Sequence, residues 1–128
     1  GAVLKRPQEG WYLEPALLLD THPAMIVNRE EIFGPVASVI AARDYEMALE
    51  IANGVPFGLS AGICTTSLKH ARDFKRRAQS GMVMVNLPTA GVDYHAPFGG
   101  RKASSYGPRE QGAYAREFYS QIKTAYTG

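Results

Sequence analysis

The apolar positions of this chain fall into short runs separated by helix-period stripes. Trp11 to Asp20 is rich in leucine and broken by Pro15, which predicts an edge strand or two short strands. Val36 to Ala41 predicts a short buried strand. Asp44 suits a helix N-cap, Glu46 suits the helix dipole, and Met47, Ala48, Ile51 and Ala52 then share one face. Gly54 is placed to end that helix. Ser60 to Thr65 predicts the next strand. Ser67 is the N-cap candidate of a second helix, with Leu68, Ala71, Phe74 and Ala78 as its apolar stripe and Gly81 as its stop. Met82 to Asn86 predicts a third buried strand.

Strand, helix, strand, helix, strand is the order of an α/β protein. Each connection is long enough for parallel pairing, so the expected fold class is a parallel-sheet layer with flanking helices and right-handed crossovers. From Leu87 to Tyr106 no period is visible, and Pro88, Gly91, Pro97, Gly99 and Gly100 mark a long loop. Loops beyond about 12–15 residues in compact domains are usually functional or disordered. Pro108 suits the first position of a third helix, with Glu110 after it and Tyr114 and Phe118 one turn apart. Ile122 to Thr127 alternates enough to predict a final strand.

Composition changes this picture little. The 128 residues are 45% hydrophobic and 20% charged, as in ordinary globular proteins. A single domain of that length buries about two-thirds of its unfolded surface. The net charge of +2 gives no reason to expect nucleic acid or an anionic membrane as partner. The apolar runs, such as Met82 to Val85, are too short to span a bilayer, and no signal-peptide pattern follows Gly1. The single cysteine excludes an internal disulfide and fits a reducing, cytoplasmic setting. The chain opens without methionine, which suggests processing, truncation or a junction.

Few residues offer chemistry. Glu30-Glu31-Ile32-Phe33-Gly34-Pro35 precedes a predicted buried strand. Read locally, it is a solvated acidic pair and a rigid turn with Phe33 in the core. It is also a carboxylate able to grip a diol, with an aromatic ring two residues later to pack on an attached base. Cys64 sits in a predicted buried strand and reads as a small core residue rather than a nucleophile. Lys69, Arg72, Lys75, Arg76 and Arg77 form a solvated outer helix face, and no phosphate-binding glycine motif is present.

Four motifs carry a resemblance. Glu30 to Val36, Asn53 to Ser60 with Phe57-Gly58-Leu59, Gly81 to Asn86, and Pro97-Phe98-Gly99-Gly100-Arg101-Lys102 resemble, in order, segments of the aldehyde dehydrogenase family. Together they cover nearly the whole chain. The resemblance implies a C-terminal part of the catalytic domain over residues 1–119 and an oligomerisation-type strand and tail over 120–128. It implies NAD or NADP as cofactor, with Glu31 holding the nicotinamide ribose and Phe33 beside the nicotinamide. Phe98 becomes the substrate-pocket candidate, with Leu87, Thr89, Asp93 and His95 as weaker ones. The segments from Val92 to His95 and from Ser104 to Gly112 resemble the branch that oxidises α-ketoglutaric semialdehyde (2,5-dioxopentanoate).

In that family a cysteine thiolate attacks the aldehyde, hydride passes to the nicotinamide, and a glutamate activates the hydrolytic water. The family's Gly-Gln-x-Cys context is absent here, so no catalytic residue is assigned. The expectation is a C-terminal fragment, inactive alone, of a homo-oligomeric enzyme acting on a small aldehyde. The competing expectation is a truncated, non-catalytic paralogue that serves as an oligomerisation or partner-binding module.

Overall fold

The computed structural model describes residues 1–128 and divides into two units, Gly1–Val55 and Pro56–Gly128. In the first unit, Pro15 separates two short strands. β1 (Val3–Leu4) pairs antiparallel with β2 (Tyr12–Leu13). β3 (Ala16–Leu18) pairs parallel with β4 (Val36–Ser38), Ala16 facing Val36. A 3-10 turn at Ile26–Asn28 lies in the connection between them.

Helix α1 (Tyr45–Asn53) starts and stops where its caps stand. The Asp44 carboxylate accepts the Met47 N–H at 2.8 Å, and Gly54 follows the last turn. Its buried side chain is Leu49, whereas Ala48 and Ala52 of the expected stripe are exposed.

The second unit holds a βαβ arrangement. β5 (Ser60–Ile63) and β6 (Met82–Val85) pair in parallel, Ser60 facing Met82 and Ile63 facing Val85. Helix α2 (Leu68–Arg77) connects them and packs on β6. The Ser67 hydroxyl accepts the His70 N–H at 3.3 Å as its cap. Phe74, Ala78 and Met82 form the buried core here, and the five basic residues of α2 face solvent. Leu68 lies 80% exposed, outside the stripe expected of it.

Several expectations need correction. The parallel layer is two separate two-stranded ladders, because β4 pairs with β3 and not with β5. No helix starts at Pro108. Glu110 exchanges both backbone hydrogen bonds with Phe98, at 2.7 and 2.9 Å, which holds it extended. The third helix shrinks to a 3-10 turn at Gly112–Tyr114 and α3 (Ala115–Phe118). Ile122 to Thr127 forms no strand within this chain, since no other segment offers it a ladder. Cys64 lies just beyond β5 and is exposed, not a core residue.

Burial also falls short of the two-thirds expected. Two independent units of these lengths would together expose roughly 8,000 Å². The chain exposes 10580 Å². Large apolar residues contribute to it: Trp11, Leu17, Leu19, Phe33, Leu87, Ile122 and Tyr126 are each more than 60% exposed. No helix is long and apolar enough to cross a membrane.

Candidate functional site

In the first unit, the acidic motif hangs from a pinned turn. The Asn28 side-chain amide donates to the His22 carbonyl at 2.9 Å, and the Glu30 N–H donates to the Ile26 carbonyl at 2.9 Å. The chain then turns sharply at Phe33, whose φ of 57° lies in the left-handed region. That conformation disfavours a bulky L-residue by about 1–3 kcal/mol. The Ala16 N–H donates to the Pro35 carbonyl at 2.9 Å and seats the motif against β3.

A hollow of about 240 Å³ results, lined by Val27, Glu30, Glu31, Ile32, Phe33 and Gly34 among others. Residues 31–33 are not a strand, so the alternation that would put Glu31 and Phe33 on one side does not apply. The turn nonetheless brings both to the same hollow. The core placement of Phe33 is wrong: the residue is 91% exposed. Backbone strain of this kind concentrates at functional positions.

In the second unit, the Gly-Gly motif is a close backbone crossing. Gly58, Gly99 and Gly100 are buried. The Gly58 carbonyl accepts from the Gly81 and Arg101 N–H groups, both at 2.9 Å. Two serine hydroxyls accept backbone donors: Ser104 from Gly58 N–H at 2.9 Å and Ser105 from Gly100 N–H at 2.6 Å. A Cβ on Gly81 would lie 2.7 Å from Gly100 Cα. The Arg109 guanidinium spans this crossing and donates to the Gly100 carbonyl.

This crossing positions Phe98, which is half-buried and bridged to Glu110. Beside β6 the loop encloses a second hollow of about 310 Å³, lined by Met82, Met84, Leu87, Val92, Asp93 and Pro97 among others. Leu87 and Asp93 therefore share a surface. Thr89 sits over Gly62 of β5, where a Cβ would be 3.1 Å from its methyl group. His95 is held to Asp93 by its ring. No sequence motif assigns a role to Ser104, Ser105 or Arg109 individually. The only hint was a glycine pair followed by small hydroxyl residues.

The family profile described as "Aldehyde dehydrogenase family" matches residues 1–125. The chain belongs to the aldehyde dehydrogenase family. It is 44% identical over 119 residues to the alpha-ketoglutaric semialdehyde dehydrogenase of Bacillus subtilis, covering 93% of this chain and 24% of that protein. It is 41% identical to the 2,5-dioxopentanoate dehydrogenase of Saccharolobus solfataricus, covering 95% of this chain and 26% of that protein. Among solved structures, an indole-3-acetaldehyde dehydrogenase variant of P. syringae in complex with NAD+ and IAA matches at 37% identity. Its TM-score is 0.88, over 96% of this chain and 24% of that one. The chain thus spans about a quarter of the length of the relatives it matches.

Proposed function

We propose that this chain is the C-terminal quarter of an NAD(P)-dependent aldehyde dehydrogenase, residues 1–119 completing its catalytic domain. It supplies the cofactor-ribose contact and part of the aldehyde wall, while the nucleophile and base stand on the part of the enzyme outside this sequence. The observation that carries the reading is the family match over residues 1–125 of a chain whose apolar side chains are left largely uncovered. Such a surface fits a catalytic domain that it completes rather than an independent module.

The hollow at Glu31 fits a dinucleotide's nicotinamide end. A carboxylate accepts hydrogen bonds from both hydroxyls of a ribose. Phe33, exposed and fixed by its turn, offers an apolar face beside that sugar. The bound nicotinamide supplies a hydride acceptor. Glu31 orients the sugar, and Phe33 excludes water next to it. Phe98, Leu87 and Thr89 bound the aldehyde's path, Phe98 being fixed by its bridge to Glu110. The overall change is oxidation of an aldehyde to a carboxylate, with water supplying the second oxygen. α-Ketoglutaric semialdehyde is the substrate that the relatives' names favour. Ile122 and Tyr126, both more than 90% exposed, fit a tail over residues 120–128 that extends the sheet of a second subunit in a cytoplasmic homo-oligomer.

The test is a chimaera in which this chain replaces the matching quarter of the Bacillus subtilis relative. NAD(P)H formation from a semialdehyde is expected in the chimaera and absent from the isolated chain. Turnover by the isolated chain, or a folded but inactive chimaera, overturns the reading.

A further inference from the structure

We propose that Gln111 is a positioning residue for the aldehyde wall: its strained backbone, tied down on both sides, fixes Phe98. The inference rests on Phe98 bounding the aldehyde's path, as proposed above.

Gln111 has a φ of 65° and a ψ of 168°. That part of backbone space is occupied almost solely by glycine, because a Cβ collides with the flanking peptides there. A glutamine stays in it only where the surroundings leave no alternative. Here two tethers do so. Glu110 is kept extended by two backbone hydrogen bonds to Phe98, at 2.7 and 2.9 Å. On the other side of Gln111, the Gly112 N–H donates to the Tyr94 carbonyl at 3.1 Å. Gly112 itself has a φ of 55°, and a Cβ on it would stand 2.6 Å from the His95 carbonyl oxygen. Only glycine lets the chain pass that close. A single residue separates the two tethers, so the change of chain direction between them falls on Gln111.

The tethers brace one stretch of the long loop. Tyr94 is held at one end and Phe98 at the other, with His95, Ala96 and Pro97 between them. The Ala96 N–H donates to the Asp93 carbonyl at 2.9 Å and closes the turn within that stretch. Ala96 and Pro97 line the hollow beside β6. Phe98 and this wall are thus braced by the same segment, and Gln111 is its corner.

The Gln111 side chain gives a second, independent sign. Its amide oxygen is buried without a hydrogen-bond donor. Leaving a buried acceptor unpaired is unfavourable, so hydrogen bonding does not explain why the side chain is tucked in. Its shape, not its amide, is what the corner uses. Backbone strain and an unpaired acceptor coincide at the residue next to the Phe98 bridge. Strain held in place by its surroundings keeps a contact in one geometry before the substrate arrives. Glycine at this position would relax the corner and give Phe98 other places to go.

The experiment is steady-state kinetics of the intact dehydrogenase carrying this segment, with succinic semialdehyde as the aldehyde. Gln111→Gly is expected to raise the aldehyde KM roughly threefold or more while KM for NAD(P)+ stays within about twofold. Gln111→Met keeps the Cβ and the length of the side chain but removes the unpaired acceptor. It is expected to retain the parent kinetics and to unfold at the same or a higher temperature. Unchanged kinetics in the glycine variant, equal rises in both KM values, a lower kcat with both KM values unchanged, or a methionine variant as impaired as the glycine one overturns the positioning role and leaves the dehydrogenase reading standing. No NAD(P)H formation by the unaltered enzyme from either succinic semialdehyde or butanal overturns the dehydrogenase reading, and this role with it.

Discussion

Asn86 brackets Thr65 with its side-chain amide. Its Oδ1 accepts the Thr65 N–H at 2.8 Å, and its Nδ2 donates to the Thr65 carbonyl at 2.9 Å. The amide thus adds one more rung beyond the β5–β6 ladder. The Asn86 backbone sits at a φ of 55°, which asparagine tolerates better than most residues. The long loop that begins at Leu87 leaves the strand from this clamp.

Removing the clamp should therefore loosen the loop before the sheet. Asn86→Ala is expected to destabilise the intact protein by about 1–3 kcal/mol, from two lost hydrogen bonds and a strained backbone. Asn86→Gly keeps the backbone conformation and should lose less. Urea unfolding of both variants checks the order. An Asn86→Ala protein as stable as the parent would show that the amide contributes nothing net.

Gly81 and Gly91 should respond differently to alanine. A Cβ on Gly81 meets the Gly99–Gly100 backbone, which has no room to give. Overpacking of this kind costs about 1–3 kcal/mol and should displace Phe98 as well. At Gly91 the space is open and only the φ of 82° opposes a side chain. Thermal unfolding should rank Gly81→Ala well below Gly91→Ala. Equal melting points would mean that the crossing is slack.

The N-cap of α1 brings a pH dependence. The Met47 N–H, and then the Arg43 guanidinium, hold the Asp44 carboxyl below the usual carboxylate range. A depressed folded-state pKa contributes stability above the unfolded value, and that stability is lost as the pH falls through the folded value. The contribution of Asp44 should thus be present at neutral pH and vanish only below about pH 4. Amide hydrogen exchange in the first turn of α1 measures it: Asp44→Ala should speed exchange at neutral pH and Asp44→Ser much less. Identical exchange in parent and alanine variant would remove the cap from the account.

The cofactor role proposed for Phe33 implies a trade between stability and function. Phe33→Gly relieves the left-handed strain and should leave the intact enzyme unharmed or about 1 kcal/mol more stable, while weakening the cofactor. A variant destabilised by unfolding assay would show that the ring packs for stability rather than for a ligand.

What sequence reveals here is local. Asp44 and Ser67 start their helices because each needs only its own carboxylate or hydroxyl and an N–H three residues on. The β5–α2–β6 unit follows from periodicity alone. Glu110 misled because its fate depends on Phe98, a partner outside any local window. Arg109 carries no local signal for the same reason, since its role exists only where Gly81, Gly99 and Gly100 converge. Leu68 reads as part of a buried stripe and is not, because burial depends on which surfaces this chain itself provides. The motif at Glu31 was legible as a family pattern, yet the turn that brings Glu31 and Phe33 to one hollow was not.

Steady-state kinetics of Glu31→Gln in the intact dehydrogenase are the decisive check on the proposed contact between Glu31 and the cofactor ribose. Charge-assisted hydrogen bonds contribute about 1.5–3 kcal/mol each, so losing the charge should raise KM for NAD(P)+ by roughly tenfold or more. KM for the aldehyde should stay within about twofold, because Glu31 touches the cofactor and not the substrate in this account. An unchanged cofactor KM, with the aldehyde KM raised instead, would contradict it.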